Sequence, residues 1–288
     1  MKGILRLILS AGFAVLTVTT VSKAAELQPA TKNAWDDYLR VAALRANDRL
    51  QGRRTFLWTD ESPDRALRVR RGEVLVAPMV EHGTEGIENG LIHDWIGAAF
   101  IPNTTAQHLR AVLGDYDQYK QIYRPVVADS KLLACTSTDQ EFSMIWQRKV
   151  LFVSAALAVQ FQAHDMALDE HRGYIAADSV QVQEIEDYGR RSEHLLPVDT
   201  GSGFIWRLRS IARCQERDGG VYLELEVIAL TRDIPSSLRW LVNPVQNRLS
   251  TNSLTTTLRQ TREAVRALPT EQIRSQAERI HMTTRTRY

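Results

Sequence analysis

Through its middle the chain repeats one pattern, runs in which apolar and polar side chains alternate, broken by short polar turns. Residues i, i+2 and i+4 of a strand share a face, so such runs predict β-strands with one face turned to a core. They fall at 92–102, 126–135, 141–152, 157–165, 174–185, 205–215 and 221–231. Arg217-Asp218-Gly219-Gly220 is the clearest hairpin loop, with glycines where positive φ is needed. The one long connection, 190–203, is polar enough to lie on the surface.

Helical spacing takes over elsewhere. Leu109, Val112, Leu113 and Tyr116 fall at i, i+3, i+4 and i+7 after Pro102-Asn103-Thr104, predicting an amphipathic helix with a capped start. A shorter piece carrying Tyr119, Ile122 and Tyr123 stops before Pro125. Beyond Pro235 a long helix is expected over 236–267, with Leu238, Leu241, Val242, Val245 and Leu249 on one face. Nearer the N-terminus, Trp35, Leu39, Ala42 and Ala46 predict a helix ending near Asn47. Residues 55–58 and 73–76 read as strands around a Ser62-Pro63-Asp64 turn, and 81–90, with three glycines and three glutamates, as a loop.

Strand, two short helices, six strands and one long helix is the order of an α+β fold, here a curved antiparallel sheet of about seven strands gripping a long C-terminal helix. One helix cannot fill the concave face of so many strands. On the strand at 205–215 the expected inner side chains shrink from Trp206 and Leu208 to Ser210, Ala212 and Cys214, and Gly97, Ala99, Ala229, Ser250 and Ser253 add small groups. Such a set either draws backbones together or leaves a hollow.

Candidate chemistry follows from the same faces. Phe142, Met144 and Trp146 define one face of the strand at 141–152, and Arg148 continues it. Tyr174, Ala176, Val180 and Val182 share a face with Asp178. A buried guanidinium is tolerated when a carboxylate holds it, so Arg148 with Asp178 is a candidate anchor for the polar head of an apolar ligand. The alternative is a structural ion pair, or a bulge that turns Arg148 outward. The expected ligand contacts are then Trp146, Arg148, Tyr174 and Asp178 on the walls, Leu208, Ser210 and Ala212 on the sheet, and Leu241, Val245 and Leu249 on the helix. Tyr116, Tyr119 and Tyr123 are placed to gate a pocket or to pack a core.

Other groups carry less. His164, Asp165, Asp169, Glu170 and His171 read as a solvated acidic turn rather than a metal site, and His93 beside Asp94 as structural, because consecutive strand residues point to opposite faces. Asn103-Thr104-Thr105 fits a glycosylation sequon but also a helix cap. No Walker loop, Gly-x-Gly-x-x-Gly, Gly-x-Ser-x-Gly or Cys-x-x-Cys motif occurs, so neither a catalytic residue nor a metal or cofactor is assigned.

Charge and composition change the picture at one end. Lys2 and Arg6 precede an apolar run over 7–21, and Ser22-Lys23-Ala24 offers a small-x-small cleavage site, so 1–24 reads as an export signal and the mature protein as periplasmic or secreted. Three of the 36 basic residues lie in that segment and none of the 34 acids does, which turns a formal charge of +2 into −1 for the mature chain. A near-neutral protein gives no electrostatic reason to expect nucleic acid as a partner. Cys135 and Cys214 fall on separate expected strands and read as two buried small hydrophobes rather than a disulfide. The division is then 1–24 signal, 25–90 N-terminal elaboration, 91–268 main domain and 269–288 polar tail.

Several motifs also resemble those of a known superfamily. His93-Asp94-Trp95-Ile96-Gly97-Ala98-Ala99-Phe100-Ile101-Pro102, then Leu113-Gly114-Asp115-Tyr116-Asp117-Gln118-Tyr119, and later Arg217-Asp218-Gly219-Gly220-Val221-Tyr222 leading to Leu230-Thr231-Arg232-Asp233-Ile234-Pro235, are similar to bacterial START-like (SRPBCC) proteins. The resemblance spans about 91–268. It implies a helix-grip fold with a deep hydrophobic pocket and, as partner, an apolar small molecule or lipid, with transient membrane contact allowed for. Carriage or sensing of that ligand is the function it implies. A cyclase or aromatase activity, or an interaction domain with a filled core, is the alternative.

Overall fold

The computed structural model describes residues 25–150, 153–233 and 236–267, and side chains outside 148–155 and 236–247. The expected export segment 1–24 and the tail 269–288 lie outside the described residues. The N-terminal part supplies β1 (Ala25–Glu26), α1 (Pro29–Leu50), α2 (Pro63–Arg70), β2 (Leu75–Pro78) and β3 (Thr84–Ile87). The main body follows with β4 (Gly90–Pro102), α3 (Ala106–Leu113), α4 (Tyr119–Ile122), β5 (Val127–Cys135), β6 (Asp139–Val150), β7 (Val153–Ala167) and β8 (Arg172–Glu186). Two short strands, β9 (His194–Leu195) and β10 (Thr200–Gly201), precede β11 (Arg207–Arg217), β12 (Gly220–Arg232) and α5 (Ser236–Ala267). Among the described residues, no helix is long and apolar enough to cross a membrane.

All pairing is antiparallel, and ten strands join one sheet in the order β2-β4-β12-β11-β8-β7-β6-β5, with β3 on β4 and β9 on β8. The expected seven strands thus become ten. Of the three additions, β2 falls on the stretch 73–76 already read as a strand, while β3 and β9 are short pieces in segments whose polarity or glycines signal loops: β3 lies inside 81–90 and pairs with β4 from Thr84↔His93 to Ile87↔Gly90. Asp218 (φ 57°) and Gly219 (φ 77°) make the tight turn between β11 and β12, closing on the pair Arg217↔Gly220.

Two further expectations give way near the N-terminus. Ser62-Pro63-Asp64 starts α2 instead of a turn: the Ser62 hydroxyl accepts from the Arg65 N–H and Pro63 takes the first helical position, where its missing donor costs nothing. Residues 55–58 form no strand, and Trp58–Glu61 is a short 3-10 turn held to the sheet by Glu224. That carboxylate accepts from the N–H of Trp58 at 2.9 Å and of Thr59 at 2.7 Å.

The sheet has two covered faces. Outside, α1 packs through Trp35 and Ala42 on Ile92, Ile228 and Leu230, and through Ala46 on Tyr174 and Ile211. Val69 of α2 joins Ile96, Phe100 and Tyr222. Between α1 and the sheet lies a buried ionic cluster. Asp94 accepts from the Tyr38 hydroxyl at 2.6 Å and pairs with Arg45 at 2.7 Å, while Arg213, wholly buried, pairs with Glu226 at 2.8 Å and Glu224 at 3.5 Å. Charges removed from water this fully are tolerated only when paired, so these contacts fix how α1 lies on the strands.

Inside, α5 lies across the sheet and touches β4 most closely. A Cβ on Gly97 would stand 2.7 Å from Leu258 and 3.0 Å from Leu254, so the missing side chain lets the helix settle onto the strand. Leu254, Leu258 and Val265 then pack with Ala99, Ile101, Leu109 and Leu223.

Candidate functional site

Away from β4 the helix and the sheet part company. Between them is a cavity of about 730 Å³, within the range of small-molecule sites. Both outcomes expected of small inward residues therefore occur in one molecule. Gly97 and Ala99 draw backbones together, whereas Ser210, Ala212 and Ala229 line open space.

The floor is apolar because alternate residues of five strands converge on it. β11 contributes Leu208, Ser210 and Ala212, β12 Leu225 and Val227, β8 Ile175 and Ala177, β7 Leu157 and Phe161, and β6 Met144 and Trp146. Phe142 stacks between Tyr116, ring centroids 3.8 Å apart, and Phe161, 4.9 Å apart, closing one end with an aromatic wall. Over this wall sit α3 and α4. Tyr116 donates to Gln140 at 3.0 Å, Tyr119 donates to the Leu113 carbonyl, and the Tyr123 hydroxyl meets Thr261 of α5 at 3.0 Å. Burial raises all three phenols, Tyr123 to about 12, so they remain protonated hydrogen-bonding groups at neutral pH.

Of the expected contacts, the structure brings Trp146, Leu208, Ser210, Ala212 and Leu249 together on the cavity. Leu241 and Val245 lie in α5, and Arg148 lies on β6 in register with Ala155; their side chains are outside the described residues. Tyr174 and Asp178 are a correction. Both face outward: Tyr174 packs under Ala46 of α1, and Asp178 lies 3.6 Å from Arg209. The physical reason is a β-bulge. Phe161 pairs with Ser179 but Gln160 with Gln181, so Val180 is the unpaired extra residue and the alternation changes phase across it. Val182 thus joins the inner cluster, as do Ala177 and Ile175 on the near side, while Tyr174, Ala176 and Asp178 point away. Asp178 accordingly does not face Arg148 across the hollow.

Trp206 also leaves the inner set. It precedes β11, where strand alternation no longer binds it, and packs with Trp35, Ile92 and Leu230 outside. Other candidates separate as well: His164 pairs with Asp139, Asp165 with Arg110, Asp169 with Arg172, and no group of metal-ligating side chains forms among the described residues. Cys214 is a buried thiol whose pKa burial lifts to about 11, and Cys135 is a half-buried one.

His93 is the polar group that sequence reading undervalued. It shares the inner face with Trp95 and Gly97, lines the cavity at 7% exposure, and its Nε2 lies 3.0 Å from the Thr231 hydroxyl. Burial pushes its pKa down to about 4, so the ring is neutral at ordinary pH. Its phase on β4 was the available signal.

A long helix across a curved antiparallel sheet, with a cavity held between them, decides the architecture. It is a helix-grip arrangement. No protein-family model matches the chain, and comparison with curated proteins finds no match. Among solved structures the helix-grip chain is similar to a STAR-related lipid transfer protein from Xanthomonas axonopodis, at 19% identity over 64% of this chain and 99% of that one, with a TM-score of 0.41. It is similar to a START superfamily protein from Mycobacterium smegmatis at 10% identity over 62% and 99%, TM-score 0.36. A Streptomyces aromatase/cyclase gives 15% identity over 61% and 97%, TM-score 0.40.

Proposed function

We propose that this protein binds a hydrophobic small molecule or lipid in the cavity between α5 and the sheet, and carries or senses it without changing it. The observation that carries the reading is the hollow of about 730 Å³ floored by Leu208, Ala212, Val227 and Phe161, which water alone would fill at a cost. Covering about 250 Å² of ligand surface at roughly 25 cal/mol per Å² offers about 6 kcal/mol before the costs of association, enough for useful affinity. The export signal expected at 1–24 would put this work outside the cytoplasm, where an apolar compound needs shelter from water.

Native mass spectrometry of protein purified from its own host, under conditions that keep it folded, tests the reading. A reproducible added mass that organic solvent extracts as an apolar compound supports it. Protein that carries no such mass, and that gives no fluorescence response with the neutral apolar probe N-phenyl-1-naphthylamine, sinks it.

A further inference from the structure

The cavity is two-faced. Its floor is made almost wholly of aliphatic and aromatic side chains, but the part of its roof that α5 supplies is studded with hydroxyls. Ser250, Ser253, Thr257 and Thr261 follow one another at helical spacing, and all four line the hollow. A serine or threonine in a helix commonly satisfies itself by bonding back to a carbonyl one turn earlier, and Thr261 does so with the Thr257 carbonyl at 2.9 Å while also meeting Tyr123. Neither Ser250 nor Thr257 has such a side-chain bond among the described residues.

A second group looks into the same space from the floor. His93 is more than nine-tenths buried, and the Thr231 hydroxyl beside it lies 3.3 Å from the Arg232 carbonyl, to which it donates. The Thr231 oxygen therefore accepts from Nε2–H of the neutral ring, which leaves Nδ1 as a lone pair with no partner among the described residues. A plain hydrocarbon in this hollow would strip water from Ser250, Thr257 and His93 and return nothing, and an unmet buried polar group is costly.

Resting on the binding reading above, we propose that the ligand is an amphipathic molecule lying with its apolar body on the sheet and with polar groups along one edge, hydroxyl or carbonyl groups read by Ser250 and Thr257 of α5 and a hydroxyl that donates to His93 Nδ1. The two α5 hydroxyls stand about 10 Å apart along the helix, so the ligand's polar groups are separated by a similar span.

A matched pair of probes tests this on the full chain. Biphenyl and 4,4′-dihydroxybiphenyl share a skeleton and differ in one hydroxyl at each end, and calorimetric or fluorescence titration gives the dissociation constant of each for the wild type and for a Ser250→Ala/Thr257→Val double variant. Circular dichroism establishes that the variant is folded. The expected result is that the variant loses about tenfold or more in affinity for the diol and less than twofold for biphenyl, the size expected for lost hydrogen bonds rather than lost packing. Restoring the hydroxyl alone, with Thr257→Ser in place of valine, recovers part of the diol affinity. Equal losses for both probes, or a diol that binds the variant as well as the wild type, overturn the polar-edge inference while leaving the cavity a binding site. Wild-type protein that binds neither probe overturns both.

Discussion

The hydroxyls of Tyr123 and Thr261 stand 3.0 Å apart and join the short helix α4 to the middle of α5. The Gln260 amide adds a 2.6 Å bond to the Arg124 carbonyl next to it. These contacts hold the aromatic end of the cavity shut. Tyr123→Phe keeps the ring and removes the bond, at a cost of about 1 kcal/mol, since Thr261 retains its bond to the Thr257 carbonyl. Melting should fall by about 2–4 °C, and stopped-flow release of N-phenyl-1-naphthylamine should accelerate. An unchanged release rate would show that ligands leave by another route.

Neighbours in β4 titrate in opposite senses. His93 faces the cavity with a pKa lowered by burial to about 4, whereas Asp94 faces α1 with one raised by burial, and further by Glu226, to about 6. The folded state resists protonation at His93, so that contribution to stability is complete above 6.5 and is lost as pH falls toward 4. The folded state favours protonation at Asp94, so its contribution is complete below 3.8 and is lost as pH rises through about 6. Over the shared window the two oppose each other by roughly 2 kcal/mol apiece. Urea denaturation at pH 7 and pH 4.5 checks this: His93→Gln should gain stability on acidification relative to wild type, and Asp94→Asn should lose it. Parallel pH profiles for the three proteins would refute the assignment.

Filling the hollow separates a binding site from a packed core. Ala212→Leu adds methylenes where the floor is open, so thermal stability should hold or rise while probe affinity drops at least tenfold. Were the space absent, the same change would overpack the interior and cost about 1–3 kcal/mol. Melting and titration on the one variant decide between these outcomes.

The fold was legible in the sequence wherever a single period ran without interruption. Pro235 and the two serines mark the start of α5, the alternation of β11 places Leu208, Ser210 and Ala212 on one face, and the Asp-Gly hairpin fixes the β11–β12 register. Legibility failed where one residue changes the phase: nothing local announces the bulge at Val180, yet it decides that Asp178 meets Arg209 instead of the cavity. Ser62-Pro63-Asp64 failed for another reason, since a serine before a proline opens a turn and caps a helix equally well. The pairing of Arg45 with Asp94 joins positions remote along the chain, and no spacing rule reaches that far.

Arg213 provides the sharpest test of that outer cluster. Arg213→Met should cost about 3–5 kcal/mol, because it removes the buried cation between Glu224 and Glu226 and leaves Glu224 only its two backbone N–H donors and Glu226 only Arg45 at 3.7 Å. Adding Glu226→Gln should return part of the loss. Chemical denaturation of the single and double variants checks both, and a loss within about 0.5 kcal/mol would place those carboxylates in contact with solvent.

Glu224, on β12 and bonded to the backbone of Trp58 and Thr59, has a further consequence. Riveted from below in this way, β12 resists being moved aside to admit a guest. On the binding reading proposed above, passage in and out of the hollow would then fall to the ceiling, on the side of α4 and α5.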